Sequence, residues 1–161
     1  MEQIKISSAE DKASIYRELL PQIESLVSGE DDIIANTANV SAALKQALAY
    51  ASWVGFYFLK NGELVVGPFQ GKVACTRIAI GRGVCGTAAA EKRVVTVPDV
   101  SQFPGHIYCD PDSKSEIVVP LLKNGQVFGV LDVDSSVFDS FDSIDAEYLG
   151  RVAGIVARRS P

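Results

Sequence analysis

Two Asn-Gly pairs, Asn61-Gly62 and Asn124-Gly125, constrain this chain more than any other feature. Asn-Gly supplies the positive backbone dihedrals that a two-residue hairpin turn demands, and each pair lies between aromatic, aliphatic or β-branched runs of strand length. The first turn joins residues 53–59 to 64–69, and the second joins 117–122 to 127–133. Two hairpins predict a largely antiparallel sheet. Residues 73–80 read as a further strand, 84–92 as a short Ala-rich helix and 94–97 as a short strand. Residues 98–115 form a long loop, rich in Pro, Gly, Ser and Asp, that holds the sole histidine, His106. Loops of that length in compact domains are often functional.

Helices flank this β-rich centre. Ser7 with Glu10 has the spacing of a capping box, and Ile15, Leu19, Ile23 and Leu26 recur at intervals of three and four, an apolar stripe along one helix. Pro21 is expected to kink that helix and Gly29 to end it in a left-handed cap. Asp31 or Asp32 opens a second helix that carries Leu44 and Leu48 to the core. Ser143 is expected to cap a last helix whose inner face is Ile144, Tyr148, Val152, Ile155 and Val156, with Arg158 and Arg159 at the end where the dipole favours cations. The pattern is α+β: one domain over residues 1–161, with the terminal helices packed on one face of the sheet and the middle insertion over the other.

Composition narrows the function. The chain has 161 residues, with 15 Lys and Arg against 20 Asp and Glu, a net charge of −5. That balance lacks the basic footprint a nucleic-acid partner needs. The longest apolar runs are about six residues, as at 117–122, far short of the roughly 20 of a membrane span. The amino terminus carries no charged-then-apolar export pattern, so the expected location is cytoplasmic. Cys75, Cys85 and Cys109 are an odd number for a disulfide framework, and without any CxxC they make a poor structural zinc site. Each alone reads first as a small buried hydrophobe.

Three motifs stand out. Gly81-Arg82-Gly83-Val84-Cys85-Gly86 matches the dinucleotide pattern GxGxxG, but its neighbours are hairpins rather than parallel βαβ units, so it reads as a turn into a helix amino terminus. Backbone N–H groups there attract an anion or lower the pKa of a nearby thiol, and Cys85 sits among them. His106 and Cys109 form a conceivable nucleophilic pair, although a loop histidine is more often solvated or capping. Asp132 and Asp134 alternate on one strand and share a face, with Glu116 at the start of the neighbouring strand. Trp53 and Tyr57 share a face of the first strand. Acidic groups beside aromatic rings would receive a small cationic or zwitterionic ligand.

The residues quoted, together with Ala51-Ser52-Trp53-Val54-Gly55-Phe56-Tyr57, Val66-Gly67-Pro68-Phe69-Gln70-Gly71, Ala74-Cys75-Thr76-Arg77-Ile78, His106-Ile107-Tyr108-Cys109-Asp110, Ser115-Glu116-Ile117 and Leu131-Asp132-Val133-Asp134-Ser135, resemble a GAF domain. More narrowly they resemble the free methionine (R)-sulfoxide reductases. Coverage is essentially the whole chain, and ordinary ligand-sensing GAF domains do not combine three cysteines at these places with Glu116 and the paired aspartates.

The resemblance implies reduction of free methionine (R)-sulfoxide, recycling by thioredoxin and a homodimer, with no cofactor and no metal. It implies that Cys109 attacks the sulfoxide and becomes a sulfenic acid, that Cys75 resolves it as a disulfide, and that Cys85 is a second recycling thiol. The residue pattern alone allows either Cys85 or Cys109 to attack first. Glu116, Asp132 and Asp134 correspond to substrate-binding and catalytic carboxylates, with Glu116 the expected acid, and Trp53 and Tyr57 to the pocket wall. A thiol in the long loop implies that the loop moves between substrate-bound and disulfide-bound states. The alternative is a non-catalytic GAF sensor of a small molecule, disfavoured because such domains usually sit beside output domains, none of which follows here before Pro161. Metal binding through the three cysteines and His106 is a third reading.

Overall fold

A computed structural model describes residues 3–7 and 11–160 of the chain. Both Asn-Gly pairs turn hairpins: Asn61 and Asn124 have φ of 52° and 51°, followed by Gly62 at 83° and Gly125 at 73°. They join β1 (Trp53–Lys60) to β2 (Glu63–Gln70) and β5 (Ser115–Lys123) to β6 (Gln126–Ser135). With β3 (Arg77–Ala79) and β4 (Val95–Val97) these make a six-stranded antiparallel sheet in the order β3-β2-β1-β6-β5-β4.

Alternation along the strands gives the sheet two buried faces. Val54 and Phe56 of β1, Ile117, Val119 and Leu121 of β5, and Leu131 and Val133 of β6 point to the first face. There they meet α1 (Lys12–Val27), α2 (Ile33–Ala47) and α4 (Ser143–Arg158) through Leu19, Ile23, Val40, Leu44, Leu149, Val152 and Val156. The other side chains of the same strands, Trp53, Tyr57, Val118 and Val130, pack with α3 (Gly83–Glu91) through Val84, Cys85, Ala88 and Ala89. The α+β arrangement with terminal helices on one face is as the sequence predicts.

The departures are local. Asp11, not Ser7, caps α1, by accepting from the Ser14 amide; Glu10 of the expected capping box lies outside the described residues. α1 continues through Pro21, which sits on its exposed side, and ends at Ser28 in right-handed geometry rather than at a left-handed Gly29. Asp32 caps α2 as expected.

Asp142 caps α4, one residue before the expected Ser143, because Asp145 answers it in a reciprocal capping box. Asp145 is fully buried and also accepts from Tyr16 Oη at 2.7 Å, Tyr50 Oη at 2.6 Å and Lys12 Nζ at 2.5 Å, which ties α1 to α4. Residues 73–76 are not strand: Val73 is 87% exposed, and only 77–79 pair with β2.

The GxGxxG segment is a turn. Gly81 donates to the Gly86 carbonyl at 2.8 Å while Gly86 donates to that of Arg82 at 3.0 Å. A Cβ on Gly86 would collide with the Ala79 carbonyl oxygen, which is rigid backbone. Gly86→Ala is therefore expected to destabilise the fold by about 2 kcal/mol, since overpacking at fixed backbone cannot relax. An unchanged midpoint in chemical denaturation would contradict this.

Candidate active site

The antiparallel register gathers the site. Asp134 lies between Trp53 of β1 and Glu116 of β5, opposite both, and Asp132 lies in the next cross-strand row between Gly55 and Val118. Period-two alternation puts Trp53, Tyr57, Glu116, Asp132 and Asp134 on the sheet face that α3 covers. One cleft is lined by all five, together with Cys85 and Cys109. Trp53 is fixed at its wall, stacked on Phe69 at 5.2 Å and donating from Nε1 to the Lys72 carbonyl at 3.0 Å.

Cys75 and Cys109 are joined in a disulfide that bridges 34 residues, with Cα atoms 5.3 Å apart. The bond ties residues 73–76 to the long loop, while the Thr76 carbonyl still accepts from the Val66 amide of β2 at 3.0 Å. Cys109 lines the cleft, whereas Cys75 is not part of its wall. On the surface the same two segments are tied by Lys72, which pairs with Asp110 at 3.3 Å and Asp112 at 2.5 Å.

Three carboxyl groups in a dry cleft cannot all ionise at ordinary values. Burial first, then the neighbouring Asp132 and Asp134, push Glu116 well above the usual range. Burial and Asp132 do the same to Asp134, against the opposing hydrogen bond it accepts from Ser113 at 3.0 Å. Asp132 rises less, to about 6, because hydrogen bonds with Cys85 and Glu116 partly offset its burial. Burial and mutual repulsion thus favour proton-bearing forms in the cluster, with Glu116 and Asp134 shifted further than Asp132.

Cys85 behaves opposite to the expectation from its helix position. Its thiol is buried, and burial followed by Asp132 and Glu116 pushes its pKa up, overriding the amino-terminal dipole. His106 also differs from the expected solvated side chain. It is 6% exposed, with Nδ1 3.9 Å from Glu116 Oε2, neither ring nitrogen has a hydrogen-bond partner, and burial lowers its pKa. The reading of a metal held by three cysteines and His106 fails in this state because two of the sulfurs are bonded to each other. Among the described residues, Cys85, Glu116 and Asp132 bring ligand atoms within 4.8 Å of one another, but burial favours the protonated forms of all three.

Raised carboxyl values have a stability consequence. A group protonated more readily in the folded state contributes stability that is complete below its unfolded value and is lost as pH rises through its folded value. For Asp132, a rise from 3.8 to about 6 places most of that loss between pH 4 and pH 7.5. Asp132→Asn is therefore expected to melt several degrees above wild type at pH 7.5, with the gap closing toward pH 4. A gap independent of pH would contradict the assignment.

Known proteins match the chain over most of its length. The GAF domain family matches residues 13–159. GAF domain-containing protein A of Dictyostelium discoideum is 55% identical over 152 residues, covering 94% of this chain and 95% of that protein. A free methionine-R-sulfoxide reductase of Escherichia coli is 48% identical over 139 residues, covering 86% of this chain and 84% of the relative. The crystal structure of the free methionine-R-sulfoxide reductase of Neisseria meningitidis, in complex with its substrate, superposes with a TM-score of 0.96 at 52% identity, covering 99% of this chain and 95% of that one.

Proposed function

Given that the chain belongs to the GAF-domain family and, within it, to the free methionine-R-sulfoxide reductases, we propose that it reduces free L-methionine (R)-sulfoxide to methionine through a sulfenic acid on Cys109 and the Cys75–Cys109 disulfide. The observation that carries this reading is a disulfide with one of its cysteines on the wall of a cleft that also holds carboxyl groups whose pKa burial raises. A sulfoxide oxygen leaves sulfur only when protonated or strongly hydrogen-bonded. Cys109, as thiolate, adds to the sulfoxide sulfur while Glu116 delivers a proton to the oxygen. The hydroxyl then shifts to the Cys109 sulfur as the bond between the two sulfurs and the substrate S–O bond break, so methionine is released and Cys109 is left as the sulfenic acid. The Cys75 thiol then attacks that sulfur and expels water, forming the disulfide.

The remaining groups orient the substrate. Asp132, the carboxyl that ionises most readily, holds the ammonium. Trp53 and Tyr57 pack on the S-methyl group, which fixes the face of sulfur turned to the thiol and hence the R preference. The first residues of α3 line the cleft, and its N-cap Arg82 makes no side-chain cap, so leading N–H groups are available to the substrate carboxylate. Cys85 serves as a secondary recycling thiol, slowed by its burial.

We extend the reading to thioredoxin as the electron source, to a homodimer and to the cytoplasm. The disulfide is only partly buried, which supports recycling by a protein, and an apolar groove lined by Ile34, Leu59 and Phe128 supports self-association. No described helix is long and apolar enough to cross a membrane.

The test is incubation with free methionine sulfoxide, racemic at sulfur, and either dithiothreitol or thioredoxin. The R epimer should be consumed and the S epimer persist. Binding without consumption would favour the sensor.

A further inference from the structure

The two large apolar side chains most exposed among the described residues are Val73, at 87%, and Tyr108, at 62%. They stand two residues before Cys75 and one before Cys109. Because the two cysteines are bonded with Cα atoms only 5.3 Å apart, these side chains flank a single partly exposed disulfide. Scattered apolar residues on a surface need no explanation, but a pair bracketing the one reactive bond does. Lys72, Asp110 and Asp112, paired on the surface across the same two segments, supply a polar margin. An apolar centre with a charged rim is how transient protein contacts are built, and redox encounters sit at the small end of their size range.

We propose that Val73 and Tyr108 form the docking surface for the protein dithiol that reduces this enzyme, and that the incoming thiolate attacks the sulfur of Cys75. The inference rests on the recycling proposed above. Displacement at sulfur requires the nucleophile to approach opposite the leaving sulfur. Cys109 lines the cleft, whose rim includes Val73 and Ala74 beside Cys75, so a nucleophile reaching Cys109 opposite its partner sulfur would have to come from the side of Trp53 and the carboxyls, and one reaching Cys75 from the side away from them. Attack on Cys75 comes from the outer side.

The step balances. The reductant's thiolate forms a mixed disulfide with Cys75 as the Cys75–Cys109 bond breaks, and Cys109 leaves as a thiolate. The reductant's second thiol then displaces Cys75, so the partner is oxidised by two electrons and this chain is reduced by two. Attack from outside therefore releases Cys109 as thiolate directly into the substrate cleft, in the form needed for the next turnover.

The test compares two reductants on one set of variants. Tyr108→Ser should raise the KM for thioredoxin about tenfold, the scale of losing one aromatic anchor, while dithiothreitol-supported turnover stays at the wild-type rate. Tyr108→Phe should restore the thioredoxin KM. A thioredoxin lacking its resolving cysteine should be trapped on Cys75, with Cys109 free to alkylation.

An unchanged thioredoxin KM, a parallel loss with both reductants, or trapping on Cys109 would overturn the proposal. Dissociation of a dimer by Tyr108→Ser with the thioredoxin KM unchanged would assign the patch to self-association instead. Failure of the wild-type protein to turn over with dithiothreitol would refute the reductase reading itself.

Discussion

Cys109→Ser is expected to abolish reduction of methionine sulfoxide, whereas Cys75→Ser should still release about one methionine per chain when no reductant is present. The difference follows from the positions of the two sulfurs. Cys109 lines the cleft with Glu116 and Asp132, and Cys75 meets it from outside that wall. Serine at 109 removes the atom proposed to accept the oxygen, and the buried thiol of Cys85, whose pKa burial and Asp132 raise, is a poor substitute. Serine at 75 leaves that atom in place and removes only the thiol that expels water from the sulfenic acid. The measurement is methionine formed per chain after excess reductant has been removed. Equal yields from the two variants would reverse the assignment of roles.

Glu116→Gln should lower kcat by roughly 10²–10⁴-fold, the usual contribution of a positioned general acid, with little change in KM. Glutamine preserves the shape and one hydrogen-bond donor but has no transferable proton. Because burial and the neighbouring aspartates raise the Glu116 pKa well above the usual range, the wild-type rate of the chemical step should fall as pH rises through that raised value. The variant should lack this limb. A rise confined to KM would mark Glu116 as a binding residue only.

Much of this arrangement was legible because strands enforce a period of two. Period two puts Asp132 and Asp134 on one face of β6, but a register shift between Leu121 and Leu122 and the β1–β6 pairing, neither set by the Asn-Gly turns, bring Glu116, Trp53 and Tyr57 onto that face. The family resemblance named the three cysteines, and two of them are bonded in the expected pair.

What local pattern missed depended on tertiary context. Residues 73–76 have strand composition, yet they lie outside the strands, in the segment that the disulfide joins to the long loop. The helix-terminal position of Cys85 promised an activated thiol, but burial first, and then the distant-in-sequence carboxyls of Asp132 and Glu116, reverse the sign of the effect. His106 reads as a loop residue, and nothing in its neighbours announces that the loop folds it against Glu116. Asp145 stands three residues into a helix, where a carboxylate is ordinarily solvated; its partners Tyr16, Tyr50 and Lys12 lie about a hundred residues or more earlier in the chain. The capping box it completes with Asp142 was masked by Ser143, an equally good capping residue by type.

The most direct test of the central claim is the location of the oxygen after one turnover. Reduced Cys75→Ser protein is treated with one equivalent of free methionine (R)-sulfoxide, trapped with a sulfenic-acid reagent and mapped by mass spectrometry. The label is predicted on Cys109. A label on Cys85, with Cys109 recovered as an unmodified thiol, would contradict the account.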